Sequence, residues 1–438
     1  MKLKKYYLDF SCMKFLFKII LIIIFALGIN ESRANTLFDS LNSAYLNNSR
    51  LNAERASKRA SMEEQRGSYS EFLPSVTISG YISEQNNAGT SESNFEPSEQ
   101  SMKIEQKIFQ GFGGVANLKK KKYGYNIAEF KLKKIEQETL LAAAEAHADL
   151  LLNKKKVNIN LINIDLLERQ IETDQNRLDK GEINLTDLAQ SESSFLGARA
   201  ELITAQNDLV TSKANFEKII GKKAPDNIQE IKKIKINLPE SLAAAYRVSN
   251  LENPDLQIAS LEFEQSKLDV TIAGSDLSPS ATLSYKIAEQ DDISATIQDR
   301  TQQTVTATAT WPLFSGGDNI FNFRKARELR NQKELLLQDS KKKIETDVAN
   351  AWSNYQSSKS VLDSIRAQVK AAEIANEGIT LEYESGSSRT TLEVIQSRTI
   401  LLNSRINLAS SERNFLIFQF NLLAAVGKLT AKQLNLKQ

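Results

Sequence analysis

Long stretches without proline dominate the pattern of apolar and polar positions. No proline occurs between Pro97 and Pro225 or after Pro312, and these stretches are rich in Ala, Leu, Glu, Lys and Gln, which are strong helix formers. The pattern predicts one long helix over residues 114–181 and another over 317–386. At a rise of 1.5 Å per residue each would span roughly 100 Å. Helices of that length do not fit in a compact globule.

A shorter return helix is predicted after each long helix, at 188–220 and 394–426, because both stretches carry a heptad of large apolar residues. The heptad positions are Leu188, Phe195, Leu202, Leu209 and Phe216, then Val394, Leu401, Leu408, Phe415 and Leu422. Small residues tend to lie three positions later in each heptad. A seam of large and small residues with period 3.5 lets helices pack closely and supercoil left-handed.

Four segments alternate with period two, which predicts strands at about 75–84, 101–110, 281–288 and 303–313. One side of each segment is apolar, and the other carries Ser, Thr, Lys or Glu. Strands of about 9–11 residues span a bilayer, and this alternation is typical of an outer-membrane barrel with a wet lumen. A soluble hairpin packed on the helices is the alternative interpretation.

Four strands are too few to close a membrane barrel, which needs about eight. Open sheet edges are not tolerated in lipid because their unpaired backbone groups cost several kcal/mol each. The barrel interpretation therefore requires an oligomer. A cyclic trimer would give about twelve strands and a helical barrel built of long and stacked helices.

The chain is internally duplicated with an offset of about 205 residues. Matching segments are Leu73-Pro74-Ser75 with Ser278-Pro279-Ser280, Ile108-Phe109-Gln110-Gly111 with Leu313-Phe314-Ser315-Gly316, Gly181 with Gly386, and Gly221-Lys222 with Gly427-Lys428. Repeats of this kind dictate the architecture. We predict helix, strand, strand, long helix and return helix, twice. The first copy covers 35–222, a linker 223–237, the second copy 238–428 and a C-terminal tail 429–438.

The opening helix of each copy is expected to be continuous, from Leu37 to about Glu71 and from Leu238 to about Asp276. An opening helix stacked end to end on a return helix gives roughly 100 Å, by the same rise per residue. This combined length equals that of the long helix beside them. Each copy would therefore contribute two rods of matched length.

Residues 1–34 are predicted to be a signal peptide: a lysine-rich start, an apolar core from Ile19 to Leu27 and small residues at Ser32 and Ala34. A retained N-terminal anchor is the alternative. The single cysteine, Cys12, precedes the apolar core, so it is expected to be removed. The near balance of 56 basic and 54 acidic residues argues against a nucleic-acid partner.

The sequence has no constellation that an enzyme would need. It contains no Gly-rich phosphate loop, no metal-ligand cluster and only one histidine, His147, which lies in a helical run of alanines. A helix-surface or packing role is the better interpretation of His147 than catalysis. We expect no cofactor and no metal ion.

The chain resembles the TolC family of outer-membrane efflux and secretion channels, over residues 36 to about 429. The resemblance rests on the duplication, on Leu73-Pro74 before the first strand, on the Phe-x-Gly turns, and on two tip segments, 177–188 (RLDKGEINLTDL) and 383–394 (YESGSSRTTLEV). It implies a homotrimeric channel that runs from the outer membrane into the periplasm and catalyses no reaction. Its implied partners are outer-membrane lipid, a periplasmic adaptor protein and an inner-membrane pump, either ABC-type or proton-driven.

The resemblance also implies functional residues at the tips, in the turns 181–187 and 386–393. The implied periplasmic gate is Thr186, Asp187, Tyr383 and Arg389; the implied pore ring is Glu393 and Gln396; the implied adaptor contacts are Gly181, Leu185, Gly386 and Thr390. The sequence departs from the family pattern at Gln396, where the family has a second acidic residue. It also carries one extra residue just after Gly386.

An arginine–carboxylate link between tips is chemically suited to a gate, because it can hold a closed state and yield to a competing partner. A ring of Glu393 side chains would attract cations in a narrow pore. Ordinary solvated tip residues with local capping roles are the alternative. At the level of the whole chain, the alternative is a periplasmic adaptor or another structural coiled-coil protein, although adaptors usually have a single helical hairpin between small β domains.

Overall fold

The computed structural model describes residues 36–87, 93–230, 237–294, 297–385 and 389–436. The predicted signal peptide, residues 231–236 of the predicted linker and residues 386–388 of the second tip lie outside the described residues. The elements of the first copy are α1 (Leu37–Asn47), α2 (Ser49–Gly67), β1 (Ser75–Ile82), β2 (Gln85–Asn87), β3 (Ser93–Phe95), β4 (Ser98–Gln110), α3 (Gly113–Asp179) and α4 (Leu185–Ile220). Those of the second are α5 (Leu242–Glu252), α6 (Pro254–Ser275), β5 (Ser280–Ser294), β6 (Ile297–Thr310), α7 (Asp318–Glu384) and α8 (Thr391–Ala425).

Two helices of 67 residues each, α3 and α7, run the length of the helical part, roughly 100 Å at 1.5 Å per residue. Each turns back at one end into a return helix, α4 or α8. The half of α3 nearer the sheet packs against α2 and α6, and the half nearer the tip packs against α4. No helix in the described parts of the chain has a stretch long and apolar enough to cross a membrane.

Each opening helix is broken in two, which differs from the continuous helix that the sequence predicts. The breaks lie at Asn48 and Asn253, two residues related by the duplication that share the same extended backbone, φ −65° and ψ 121° and φ −66° and ψ 121°. The side-chain oxygen of each caps the first turn of the following helix. The side-chain amide of Asn48 donates to Ile219 O (3.2 Å), and that of Asn253 donates to Ala425 O (2.9 Å). These two asparagines therefore join each opening segment to the end of its return helix.

Four of the strands form an antiparallel sheet in the order β1–β4–β5–β6, so the pairing of β4 with β5 joins the two copies. The short strands β2 and β3 pair with each other in a separate hairpin. Strands β1 and β6 are its edges. One face is apolar and open, with Ile78 80% and Val305 70% exposed. The opposite face is crowded, with Ser101 6% and Ala288 3% exposed. β5 and β6 extend to 15 and 14 residues, well past the predicted segments, because their cross-strand pairing continues to Asp291 and Asp299.

The main core lies at mid-length of the helices, where α1, α3, α4, α8 and the C-terminal tail meet. Its largest fully buried side chains include Leu41, Leu140, Leu150, Phe216, Ile220, Phe420, Leu423 and Leu429. The tail is part of this core, since Leu434 and Leu436 are also buried in it. A hydrogen bond from Ala431 N to the carboxylate of Glu136 (2.6 Å) attaches the tail to α3.

His147 lies in the same core and is fully buried. Its Nδ1 is 2.9 Å from Ser40 Oγ, its ring centroid is 6.4 Å from that of Phe216, and its Nε2 has no partner in the described parts of the chain. Burial lowers the pKa of His147 from 6.5 to about 4, because a charged imidazole would lose its hydration there. Of the two roles that the sequence predicts, helix surface or packing, this environment fits packing.

We expect Asn253→Ala to lower the free energy of unfolding by about 2 kcal/mol, the sum of a lost helix cap and a lost buried hydrogen bond. Urea-induced loss of helical circular dichroism measures the change. The matched control is Asn176→Ala, because Asn176 is exposed and bonds only within its own helix; it should change the value by less than about 0.5 kcal/mol. Equal effects of the two substitutions would show that the joint at Asn253 adds nothing.

His147→Gln should make the protein less sensitive to acid. The folded-state pKa of His147 is depressed, so the unfolded chain binds a proton between pH 6.5 and about 4 that the folded chain does not. Stability then falls as the pH drops through this window, by up to about 3 kcal/mol for a shift of this size. As the pH falls from 7 to 4, the variant should therefore gain that amount of unfolding free energy relative to the wild type. A constant difference would contradict the assignment.

Candidate functional site

The first tip connects α3 to α4 through Gly181, whose φ of +75° gives the left-handed turn that ends the helix. The carboxylate of Asp187 accepts a hydrogen bond from Asn184 N (3.2 Å) and completes a capping box at the start of α4. Thr186 and Leu185 are exposed, and Leu185 is 69% exposed. Within the protomer, the hydrogen bonds recorded for Asp187 stay in the first tip.

The second tip connects α7 to α8, and its residues 386–388 lie outside the described parts of the chain. Arg389 Nε is 2.6 Å from Glu382 Oε2, and one of its terminal nitrogens is 3.0 Å from Glu393 Oε1. Glu393 also accepts from Thr390 N (2.8 Å), forming a second capping box. The Thr390 backbone N–H and then Arg389 lower the pKa of Glu393, so this carboxylate is ionised at neutral pH. Gln396 is exposed one turn further along α8.

Helices α3 and α4 form a first hairpin, and α7 and α8 form a second. Tyr383 on α7 joins the two hairpins through Asp174, a residue that sequence reasoning missed. Asp174 lies on α3, is completely buried, and accepts hydrogen bonds from Tyr383 OH (2.8 Å), Ser191 Oγ (2.5 Å) and Gln170 Nε2 (2.8 Å). The Tyr383 hydroxyl also lies 3.0 Å from Thr391 Oγ1. One carboxylate thus connects α3, α4 and α7 through neutral donors.

Two arginines provide positive charge around this buried carboxylate. The guanidinium of Arg177 lies 4.4 Å from the centre of the Tyr383 ring and bonds Glu182. Arg398 on α8 donates to Leu166 O (3.2 Å). Burial lowers the pKa of Arg398, while the negative charges of Glu384 and Asp174 act to raise it. Burial, followed by the effect of Asp174, raises the pKa of Tyr383. Tyr383 is therefore a protonated donor at neutral pH.

The structure brings together some of the predicted site residues and separates others. Arg389 contacts Glu393, and Tyr383 is buried beside α8. Among the described residues of the protomer, Tyr383 bonds Asp174 and Thr391, and Arg389 bonds Glu382 and Glu393. A link from either of them to Asp187 would cross between subunits and stays a prediction. The sequence does carry a signal for Asp174, because Leu167, Gln170 and Asp174 recur at the spacing of one helix face. The structure buries all three. The described residues contain no group of three or more His, Cys, Asp or Glu that could hold a metal ion.

Comparison with known proteins finds similarity over nearly the whole chain. A family model described as outer membrane efflux protein matches residues 40–222 and 246–428. The chain is 26% identical over 405 residues to outer membrane efflux protein BepC of Brucella suis biovar 1, covering 92% of this chain and 88% of BepC. It is 21% identical over 418 residues to outer membrane protein TolC of Escherichia coli K12, covering 92% and 84%. Its fold is similar to the CmeC outer membrane channel of Campylobacter jejuni, with a TM-score of 0.81, 13% identity, and coverage of 90% and 86%.

We expect Tyr383→Phe to loosen the tips without unfolding the protein. The variant removes one hydrogen bond to a buried carboxylate, typically about 1.5–3 kcal/mol, so the amides at the start of α8 should exchange with solvent at least about tenfold faster. Hydrogen exchange followed by mass spectrometry measures the change. Tyr355→Phe is the matched control, because Tyr355 is half-buried on the same helix and stacks on Phe415 (centroids 6.0 Å apart). Similar exchange in both variants would mean that the Asp174 link does not hold the tips.

Proposed function

The chain belongs to the outer membrane efflux protein family, and from this premise we propose that it builds the exit duct of an efflux or secretion system, closed at its periplasmic tips by a link through Asp174. The family match covers both copies of the duplication. The observation that carries the gating part is the buried contact between Tyr383 and Asp174, which joins the first hairpin to the second. The family's proteins transport solutes, and we propose that this chain likewise catalyses no reaction.

The described sheet supports a trimer. Its edge strands β1 and β6 have no partner within the protomer, and its apolar face is suited to lipid. Pairing β1 of one copy with β6 of the next satisfies both edges, and three copies would give about twelve strands, within the range of closed membrane barrels. The long helices attached below the strands then form a tunnel into the periplasm.

The closed state is held, in this proposal, by links that are repeated in each subunit. The contact from Tyr383 to Asp174 joins hairpins within a subunit. Thr186, Asp187 and Arg389 lie at the tips, where links to neighbouring subunits can add to it. Glu393 forms one acidic ring position, and Gln396 contributes a polar but uncharged one, so cation attraction at the tips depends on Glu393 alone of this pair.

The proposed partners are a periplasmic adaptor and an inner-membrane pump. The exposed turn residues support an adaptor contact: Leu185 is 69% exposed, and a side chain added at Gly181 would meet nothing within 4 Å. Thr390 belongs to the same proposed surface, as does Gly386, which lies outside the described residues. An adaptor or coiled-coil function for this chain itself is disfavoured, because two hairpins and a four-stranded sheet differ from a single hairpin between small β domains.

The gate is tested by the conductance of the purified protein in planar bilayers. We expect Asp174→Asn to raise the conductance several-fold, because the amide cannot accept from three donors at once. Asp165→Asn is the matched control and should have little effect, because Asp165 on the same helix is exposed and pairs with Arg169 one turn away. Opening by Asp187→Asn but not by Asp174→Asn would instead assign the gate to links between subunits. A monodisperse monomer with intact helices, seen by light scattering in detergent, would contradict the channel itself.

A further inference from the structure

The crowded face of the sheet carries the basic side chains of its strands, together with Glu99 and Glu105. Cross-strand registers place Thr77, Lys103, Lys286 and Thr304 in one row on this face, and Tyr81, Glu99, Gln290 and Arg300 in a row nearer the outer rim. The opposite face carries Ile78, Met102 and Ile287 at the corresponding height. In a closed barrel with its apolar face toward lipid, the charged rows line the lumen.

Lys103 and Lys286 are direct cross-strand neighbours. Like charges directly opposite each other destabilise a sheet, so this pair works against folding. Within the described part of the sheet each lysine has one carboxylate partner: Lys286 Nζ is 2.5 Å from Glu99 Oε1, and Lys103 contacts Glu105. Both lysine side chains remain open to solvent, 48% exposed for Lys103 and 41% for Lys286. Their remaining N–H groups are available to a ligand.

The charge balance along this part of the lumen is positive. Among the described residues, the partners of Arg300 are neutral: the amide oxygens of Gln290 (2.9 Å) and Gln302 (2.6 Å). The acidic pair Asp291 and Asp299 lies at the rim on the opposite face of the sheet, the face that carries Ile287. Further toward the tunnel, Lys107 shares a cavity of about 750 Å³ with Glu71 and Asp276, so its charge is balanced locally. The positive excess is therefore concentrated between Arg300 and the lysine pair.

We propose that the row of Thr77, Lys103, Lys286 and Thr304 is a binding belt for multivalent anions, such as solutes with several phosphate or carboxylate groups. Its two ammonium groups and two hydroxyls all can donate hydrogen bonds to anionic oxygens. The inference rests on the proposed trimer, in which the row occurs three times around one pore. A ring of lysines in a narrow pore favours anions, and a multivalent anion relieves the repulsion between the two lysines in each copy.

The probe is tripolyphosphate, added to one side at a time of a planar bilayer that contains channels in one orientation. We expect it to reduce the current at lower concentration from the barrel side than from the tip side. The variant Lys103→Gln with Lys286→Gln should raise the half-blocking concentration at least about tenfold, because the local potential attracts the anion. Lys103→Arg with Lys286→Arg keeps the charge and should keep the block.

The outcomes separate this inference from the proposed function. An absence of any channel current would contradict the proposed function. Normal current with no barrel-side preference for block, or with equal block in the wild type and the double glutamine variant, would overturn the anion belt. If the double variant fails to assemble because Glu99 loses its lysine, Lys103→Gln alone still tests the belt. Glu105, the partner of Lys103, is 37% exposed, so it can remain hydrated when that lysine is replaced. The single variant should show a several-fold loss of block.

Discussion

The unpaired backbone groups along β1 and β6 are the constraint on which the architecture depends. Water satisfies such edges in a soluble protein, but hydrocarbon cannot, and each unpaired group there costs several kcal/mol. A sheet of four strands must therefore find its missing partners on other copies of itself. Rotation about an axis brings the β6 edge of one copy to the β1 edge of the next, and the helices below the sheet have to follow the same symmetry.

Long helices that follow the barrel need a fixed register, because a heptad seam can slip by one repeat at little cost in contacts. The joints at Asn48 and Asn253 fix the register, since each asparagine caps one helix and binds the last turn of another. Gly427 reinforces the second joint. A Cβ at Gly427 would lie 2.3 Å from Glu252 O. The backbones at Gly427 and Glu252 therefore lie closer together than a residue with a side chain at position 427 would allow. The core at mid-length then excludes water from around the joints.

The sequence predicts those parts of the fold that depend on periodicity. The outer-membrane channel architecture, with its long helices and antiparallel strands, is confirmed. The broken opening helices could not be predicted, because the acceptor that stabilises the break at Asn48 lies 171 residues away at Ile219. The length of β5 and β6 was underestimated for a related reason: the polar residues beyond position 288 are held by cross-strand pairing, which an apolar alternation does not reveal. The resemblance pointed to Asp187, but in the protomer the partner of Tyr383 is Asp174.

The position of that partner has a physical consequence. Asp174 is a fully buried carboxylate held by three neutral donors, and such a network is strong only while it stays dry and complete. If one donor is withdrawn, the desolvation penalty of the charge favours hydration, and hydration in turn requires the hairpins to separate. In the proposed gate, a link of this kind would resist small fluctuations but give way cooperatively once a partner displaced Tyr383. An exposed arginine–carboxylate pair at the tip would weaken gradually and respond to salt, whereas the buried contact would give the proposed closed state a threshold.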